Sequence, residues 1–248
     1  MESYLRAGLK GTPFCPGCGH GVLLGALLRA VDRLKIPRQD LLFVSGIGCA
    51  AWIPSPNIAA DTLHTLHGRA VAFATGAKLA NPKLTTIVVS GDGDLTSIGG
   101  NHLIHAARRD VDLTVICANN QIYGMTGGQT ASTTPVGAKT ATDPEGNRHR
   151  PFDTVSLVLS AGARYAARYP VTQPGKLSAA IETAISTKGL TFVEAISPCP
   201  TQYGRRNIGG GVAELYDAVS ALCIDAQQAR QMDFDTRLMH FVTGEFWP

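Results

Sequence analysis

Apolar residues along this chain alternate between two patterns. Short runs at residues 41–45 (LLFVS), 85–90 (TTIVVS), 113–118 (LTVICA) and 190–196 (LTFVEAI) are apolar at nearly every position and rich in β-branched residues. That is the pattern of strands covered on both faces in a parallel sheet. Between them lie stretches with apolar residues at helical spacing. Leu23, Leu24, Leu27, Leu28 and Val31 predict a helix over residues 21–34. Further helices are predicted over 70–79, 98–109, 154–161 and 176–187, with Ile98, Leu103, Ile104 and Ala107 facing inward in the second of these. An amphipathic helix over 213–227 and an apolar end, MHFVTGEFWP, close the chain. Residue 163–168 continues the alternation, whereas AAWIPSPNIAAD reads as irregular and 130–153 as a polar, mobile or partner-covered loop. Strand and helix in turn predict an α/β fold: a parallel sheet with helices on both faces, in a single domain over residues 1–248.

Composition narrows the function without naming it. The length of 248 residues suits one substantial core, and a net charge of +3 with no basic run argues against a nucleic-acid partner. No apolar run is long enough to span a membrane, and the opening MESYLRAGLKGTPFCPGCGHG lacks the apolar segment of a signal peptide. A cytoplasmic protein is expected. Six cysteines in such a chain point to metal or redox work rather than a disulfide framework.

Candidate chemistry lies at the strand ends. Strand 85–90 stops at Gly91-Asp92-Gly93-Asp94, and strand 113–118 stops at Asn119-Asn120. Parallel strands carry their carboxyl ends to one edge of a sheet, and ligands bind outside that edge. Asp92 and Asn120 are therefore expected side by side. A carboxylate and an amide oxygen, with a nearby backbone carbonyl, are hard donors of the kind Mg²⁺ takes, and Mg²⁺ fills its other positions with phosphate oxygens and water. Gly91 and Gly93 allow a sharp turn and close approach of a ligand, and the following helix N-terminus favours an anion. The unit reads as a site for a magnesium diphosphate. GDGDLTSIGG lacks the GxGxxG spacing of a dinucleotide site.

Cysteines mark the same edge. Cys15 and Cys18 share the CPGC turn, while Cys49 in GIGC and Cys199 in SPCP each follow a strand. Four thiolates brought together suit Zn²⁺ or a [4Fe–4S] cluster. A zinc ribbon usually supplies two local CxxC pairs, and only one is present here. Cys117 and Cys223 read as small core residues.

GDGDLTSIGGNHLIHAARRD followed by NNQIYGMTGGQ resembles the thiamine diphosphate signature in the form carried by β subunits of 2-oxoacid:ferredoxin oxidoreductases, especially the 2-oxoglutarate-specific members. The likeness runs from Phe14 to Asn207. The resemblance implies Asp92, Asn120 and the Ile122 carbonyl as Mg²⁺ ligands. It implies a thiamine diphosphate envelope of Gly48, Cys49, Ala50, His67, Gly91, Asp92, Gly93, Asp94, Asn120, Ile122, Gly124, Met125 and Thr126. It also implies one [4Fe–4S] cluster on Cys15, Cys18, Cys49 and Cys199. HTLHGRA belongs to the same set of motifs and makes His67 a diphosphate contact; His64 reads as a capping or hydrogen-bonding residue.

The implied activity is coenzyme A-dependent oxidative decarboxylation of a 2-oxo acid, with electrons passed through the cluster to ferredoxin, reversible as a carboxylation. In that family the activating Glu comes from the α subunit. None of Glu2, Glu145, Glu182, Glu194, Glu214 and Glu245 lies in a motif that points at the cofactor. No catalytic residue is assigned in this chain, and an obligatory α-subunit partner is expected. SPCPTQYGRRN resembles the 2-oxoglutarate-specific members, with Arg205 and Arg206 as candidates to pair with the second carboxylate of the substrate. The residues after GIGC depart from the family: Ala50, Ala51 and Trp52 stand where many relatives carry Ser-Ser or Ser-Gly and then a basic or polar residue. Trp52 cannot ion-pair with a carboxylate and suits a smaller pocket, as for pyruvate. A pyruvate-specific or broad-specificity subunit is the alternative substrate reading. A non-catalytic iron–sulfur or zinc scaffold is the alternative of a different class.

Overall fold

The structure, a computed structural model, describes residues 4–248. The elements in order are α1 (His20–Leu34), β1 (Leu41–Ser45), β2 (Asp61–His64), α2 (Ala70–Ala80), β3 (Thr85–Gly91), α3 (Gly100–Arg108), β4 (Thr114–Asn119), α4 (Thr154–Ser160), β5 (Tyr165–Pro170), α5 (Pro174–Ser186) and β6 (Thr191–Ile196). The C-terminal part carries α6 (Arg205–Asn207), α7 (Val212–Leu222), β7 (Cys223–Ile224), α8 (Ala226–Arg230), α9 (Phe234–Leu238), β8 (Phe241–Val242) and β9 (Gly244–Phe246). The main sheet has strand order β2-β1-β3-β4-β6-β5-β9. Every neighbouring pair in it is parallel except β5 with β9, and β7 and β8 form a separate two-stranded ribbon.

Alternate residues of the strands feed two cores. Phe43, Ile87, Val89, Ile116, Ala118 and Val193 pack with α1 and α5 on one face. Val44, Val88, Val115, Cys117 and Phe192 pack with α2, α3 and α4 on the other. Burial on both faces is why these strands read as continuous apolar runs. The predicted inward residues of α1 are all buried.

Four departures have physical causes. Residues 61–64 form β2, a strand the pattern missed. Three of its four residues are polar and none is fully buried, and it is specified by pairing Leu42–Ser45 with Asp61–His64 at the sheet margin rather than by burial. The helix expected over 98–109 instead begins with a wide π-helical turn, Gly93–Ile98, before α3. The extra residue in that turn carries Leu95 into the core and leaves Ile98 48% exposed. The helix expected over 213–227 breaks at β7, because Asp225 starts α8 as an N-cap accepting from the Gln228 N–H. Cys223 therefore lies half-buried in β7, not in a helix. Finally, 130–153 is irregular but closely packed. Thr133, Thr134, Thr140 and Asn147 are buried, and Asn147 Nδ2 donates to the carbonyls of Thr134 and His149. Among the described residues no helix is long and apolar enough to cross a membrane.

One buried cation reinforces the joint between the tail and the sheet, beside the β5–β9 pairing. Arg168 on β5 donates Nε to Glu194 Oε2 on β6 at 2.5 Å and a second nitrogen to Asp153 Oδ1. Its remaining nitrogen reaches the Val242 carbonyl, and its guanidinium lies 5.8 Å from the Phe241 ring centre. Burial alone would raise the Asp153 carboxyl, but Arg168 and Ser156 more than offset it, so its pKa lies below the ordinary value. A depressed folded-state pKa contributes stability above the unfolded value that is lost as pH falls through the folded one. Replacing Arg168 by Met strands Glu194 without its cation. We expect a loss of about 3–5 kcal/mol in urea unfolding and a weaker loss of stability on acidification than in the unaltered chain.

Candidate active site

The strand order reverses between β1 and β3: the chain leaves β1 outward to β2, and from β3 builds the sheet in the opposite direction. Such a switch point opens a crevice at the carboxyl edge. The segments that emerge there are Gly46–Cys49 after β1, Asp92–Asp94 after β3, Asn120–Thr126 after β4 and Ser197–Pro200 after β6.

Asp92 and Asn120 meet as the strand order requires. Asp92 is 2% exposed; its Oδ1 accepts from the Asn120 N–H at 3.4 Å and its Oδ2 from the Thr133 hydroxyl. Asn120 Oδ1 accepts from the Ile122 N–H at 3.1 Å, which curls the chain so that these residues share one turn. Burial pushes the Asp92 carboxyl up to about 6, with the Thr133 and Asn120 hydrogen bonds opposing it. A carboxylate held this deep without a cationic side chain against it is a site that a cation stabilises. Gly93 cannot carry a side chain, because a Cβ would come within 2.5 Å of the Tyr123 ring. Tyr123 in turn donates its hydroxyl to the Gly93 carbonyl at 3.0 Å.

Asn119, the first of the paired asparagines, does a different job. Its Nδ2 donates to Glu194 Oε1 at 2.7 Å and its Oδ1 accepts from the Gln121 N–H at 2.9 Å. It thereby supports the positive φ of 64° at Gln121, an unusual backbone for a residue with a side chain. Asp94 stands behind the surface of the site, 3% exposed, and its carboxylate is directed at protein donors. The Gly68 N–H and His67 Nδ1 each lie 2.6 Å from Oδ1, and the Ser90 hydroxyl donates to Oδ2.

Four thiols gather beside these turns. Cys15 and Cys18 are joined by the Cys18 N–H to Cys15 carbonyl bond of a tight turn, and the Gly19 N–H donates to the Pro198 carbonyl. That bond brings the CPGC turn against the segment bearing Cys199. Cys15 Sγ and Cys199 Sγ both approach Thr201 Oγ1, at 3.9 and 3.6 Å. A Cβ on Gly124 would lie 3.6 Å from Cys49 Sγ, from Cys199 Sγ and from Asn120 Nδ2 alike. Gly124 thus separates the thiols from the Asp92–Asn120 turn. Burial, reinforced by the other thiols, pushes Cys18 up to about 12 and Cys49 up to about 11. Among the described residues the thiols do not close to the spacing at which three His, Cys, Asp or Glu side chains share one metal ion. All six cysteines are free thiols, and Cys117 is a fully buried core residue.

The remaining candidates are spread around this centre. Gly48 has a φ of 139°, a Cβ on Gly91 would lie 3.9 Å from that of buried Ala50, Met125 is half exposed and Thr126 hydrogen-bonds Gln129. Arg206 is bound to Gln202 and to the Gly127 carbonyl. Arg205 lies apart from it, in a groove with Pro16, Pro200 and Gly209–Val212. Trp52 is 42% exposed with its ring 6.4 Å from His64. Of the glutamates, Glu2 lies outside the described residues, and Glu194 is committed to Asn119 and Arg168. Thr133, Ser90 and Tyr123 were not singled out from the sequence. A lone hydroxyl residue in a loop or strand carries no motif, and only the fold brings them to the two aspartates.

Residues 46–195 match the model of the thiamine pyrophosphate enzyme C-terminal TPP-binding domain. This span holds Asp92, Asn120 and Cys49 and omits Cys15, Cys18 and Cys199. The 2-oxoglutarate synthase subunit KorB of Methanocaldococcus jannaschii is 44% identical over 98% of this chain and 90% of its own length. The chain belongs to the β-subunit family of 2-oxoacid:ferredoxin oxidoreductases. Another β subunit of this family, the 2-oxoacid:ferredoxin oxidoreductase subunit beta of Saccharolobus solfataricus, is 43% identical over 79% of this chain and 65% of its own length. A solved structure of 2-oxoglutarate:ferredoxin oxidoreductase from Magnetococcus marinus, with 2-oxoglutarate, coenzyme A and succinyl-CoA bound, matches with a TM-score of 0.86. It is 31% identical, over 99% of this chain and 84% of that one. The parallel sheet and the thiamine-binding domain expected from sequence are therefore those of this β-subunit family.

The raised thiols predict how the metal-free β subunit reacts. Only thiolate attacks an alkylating agent, and a higher pKa leaves less of it at a given pH. At pH 8 the Cys18 and Cys49 thiols should react with iodoacetamide at least about 100-fold more slowly than free cysteine, with exposed Cys15 modified first. Peptide mass spectrometry over a time course reads both rates.

Proposed function

We propose that the chain is the β subunit of a 2-oxoglutarate:ferredoxin oxidoreductase, binding thiamine diphosphate with Mg²⁺ and carrying one [4Fe–4S] cluster. The reaction is the coenzyme A-dependent oxidative decarboxylation of 2-oxoglutarate to succinyl-CoA and CO₂, reversible as a carboxylation, with ferredoxin as the electron partner. The observation that carries this reading is the meeting of two donor sets on either side of Gly124: hard oxygens at Asp92 and Asn120, and four cysteine thiols.

The donor chemistry suits the groups. Asp92, Asn120 Oδ1 and the Ile122 carbonyl would hold Mg²⁺, leaving positions for diphosphate oxygens. His67 would contact the diphosphate, and Gly93 would let the backbone approach it. Cys15, Cys18, Cys49 and Cys199 would hold the cluster, their four thiolates coming from three segments as no zinc ribbon requires. Thiamine diphosphate, when bound, supplies the carbanion chemistry and electron sink that decarboxylation of a 2-oxo acid needs. This chain's residues would anchor the diphosphate and hold the cluster, with Gly124 lying between Asn120 and the Cys49 and Cys199 thiols and Thr133 of the packed 130–153 loop against Asp92. Among the described residues Glu194, the glutamate on the strand beside β4, is committed to Asn119 and Arg168, which supports an α-subunit partner supplying the activating carboxylate, in a heterodimer or a dimer of heterodimers in the cytoplasm.

Arg206 and Arg205 face different surroundings, so they do not form one carboxylate clamp in this chain. Arg206, beside the Gly127 carbonyl, is the one near the cofactor loop, and the distal carboxylate of 2-oxoglutarate would be completed by the partner. Half-exposed Trp52 at the rim favours a second reading, a pyruvate-using or broad-specificity subunit.

The test uses the complex purified anaerobically with its co-purifying partner. We expect 2-oxoglutarate- and coenzyme A-dependent reduction of a low-potential dye, with about four irons per β chain and bound thiamine diphosphate. Preference for pyruvate would transfer substrate selection to Trp52, and no dye reduction from iron- and thiamine-replete protein would overturn the enzymatic reading. Asp92→Asn should lower thiamine diphosphate affinity by at least about 100-fold while iron content holds, because it removes the charged Mg²⁺ ligand. Cys49→Ser should do the reverse, losing the cluster's visible absorbance first.

A further inference from the structure

The second aspartate of GDGD has no role in the metal site proposed above, yet it is among the best-satisfied carboxylates in the molecule. Asp94 Oδ1 lies 2.6 Å from both the Gly68 N–H and His67 Nδ1, with the Ile47 N–H at 3.5 Å. Ser90 donates to Oδ2. Gly46 has no side chain to spare at this point, since a Cβ there would fall 1.9 Å from Oδ2. One buried carboxylate therefore gathers the loop that leads to Cys49, the His67–Gly68 turn and the end of β3.

The hydrogen bond to His67 has a directional consequence. The two ring nitrogens of imidazole are joined through one carbon and point their bonding axes widely apart, so fixing Nδ1 inward on Asp94 turns Nε2 away from it. The His67 side chain is 36% exposed, and its ring stands 5.8 Å from that of Tyr123, over the Gly93 turn. Nδ1 also approaches the Ile47 carbonyl at 3.2 Å, so it is Nε2 that is left for a ligand. A charged carboxylate behind an imidazole is the usual way that a histidine is held in one orientation.

We propose that Asp94 is a positioning residue for the diphosphate of the cofactor: it never touches the ligand, and it acts through His67 by setting the ring so that Nε2 meets a terminal phosphate oxygen. The inference rests on the thiamine diphosphate reading given above. Ser90 belongs to the same device, since it holds the far oxygen of Asp94. The inference separates the two aspartates of the motif by mechanism: Asp92 through the metal, Asp94 through a histidine.

A double-mutant cycle on the partnered complex tests it, with Mg²⁺–thiamine diphosphate affinity from equilibrium titration and the ³¹P resonance of the bound diphosphate as readouts. His67→Gln and Asp94→Asn should each weaken affinity about tenfold, the size of one charge-assisted hydrogen bond. The double variant should be no weaker than the weaker single, because both remove the same contact. Both singles should move the terminal ³¹P resonance the same way. Multiplying effects in the double variant, or an unmoved ³¹P resonance in Asp94→Asn, would overturn the proposal. Should Asp94→Asn fail to fold, Ser90→Ala replaces it: a several-fold loss that vanishes in the His67→Gln background supports the proposal, and a loss that persists there overturns it. Failure of the unaltered complex to bind thiamine diphosphate would instead sink the underlying reading of the site.

Discussion

The parallel hydrogen-bond ladder from β1 through β3 and β4 to β6 is the constraint from which the site follows. Parallel pairing allows no hairpins, so every strand ends on the same edge and every return passes over a face. Four strand ends therefore deliver four short, chemically dense turns to one place: GIGC, GDGD, NNQI and SPCP. The ladder also explains the composition of the strands. Covered on one face by α1 and α5 and on the other by α2, α3 and α4, they have no solvent side on which to place polar residues.

Burial on this scale makes each polar group at the edge expensive unless it is paired. The pairing forms a connected system. Asn119 beneath the crevice binds Glu194; Glu194 binds Arg168; Arg168 binds Asp153 and the Val242 carbonyl. The turn that carries Asn120 is thus tied, through four residues, to the segment after α9 that leads into β9. Asp94 is the other hub, holding loops from β1 and the α2 approach. Asp92 differs from both. It has hydroxyl and amide donors but no cationic side chain, and burial raises its carboxyl, which is the electrostatic condition that a bound cation relieves.

The thiols and the oxygens are organised by different parts of the chain. Asp92, Asn120 and Cys49 all fall within the thiamine-binding span, whereas Cys15, Cys18 and Cys199 lie outside it. The added thiols are docked by one backbone bond, Gly19 N–H to the Pro198 carbonyl, and by close packing of Gly19 on Ser197, where a Cβ would come within 2.5 Å of the hydroxyl. Cys199, outside that span, thus meets Cys49, inside it, at Gly124.

Local pattern alone was enough for the buried strands β1, β3, β4 and β6, for α1 and for the convergence of Asp92 with Asn120. Double-sided burial and parallel order are properties that a run of apolar residues and a strand–helix–strand spacing express directly. The four cysteines stood out in the sequence because three of them sit in tight turns at predicted element ends. What the tertiary structure decided depends on contacts distant in sequence. β2 is set by its pairing with β1, and a four-residue run with one apolar position, Leu63, carries no strand signal. The 130–153 loop looked mobile because turn-forming residues dominate it, yet Thr133 reaches Asp92 across 41 positions. The two arginines after Cys199 are adjacent in sequence, but Arg206 binds Gln202 and the Gly127 carbonyl while Arg205 lines a separate groove. Asp94 shows the limit most plainly. A Gly-Asp-Gly-Asp string gives both aspartates equal standing, and only the placement of Ser90, His67 and Gly68 around one of them, and of Thr133 and Asn120 around the other, makes them chemically different.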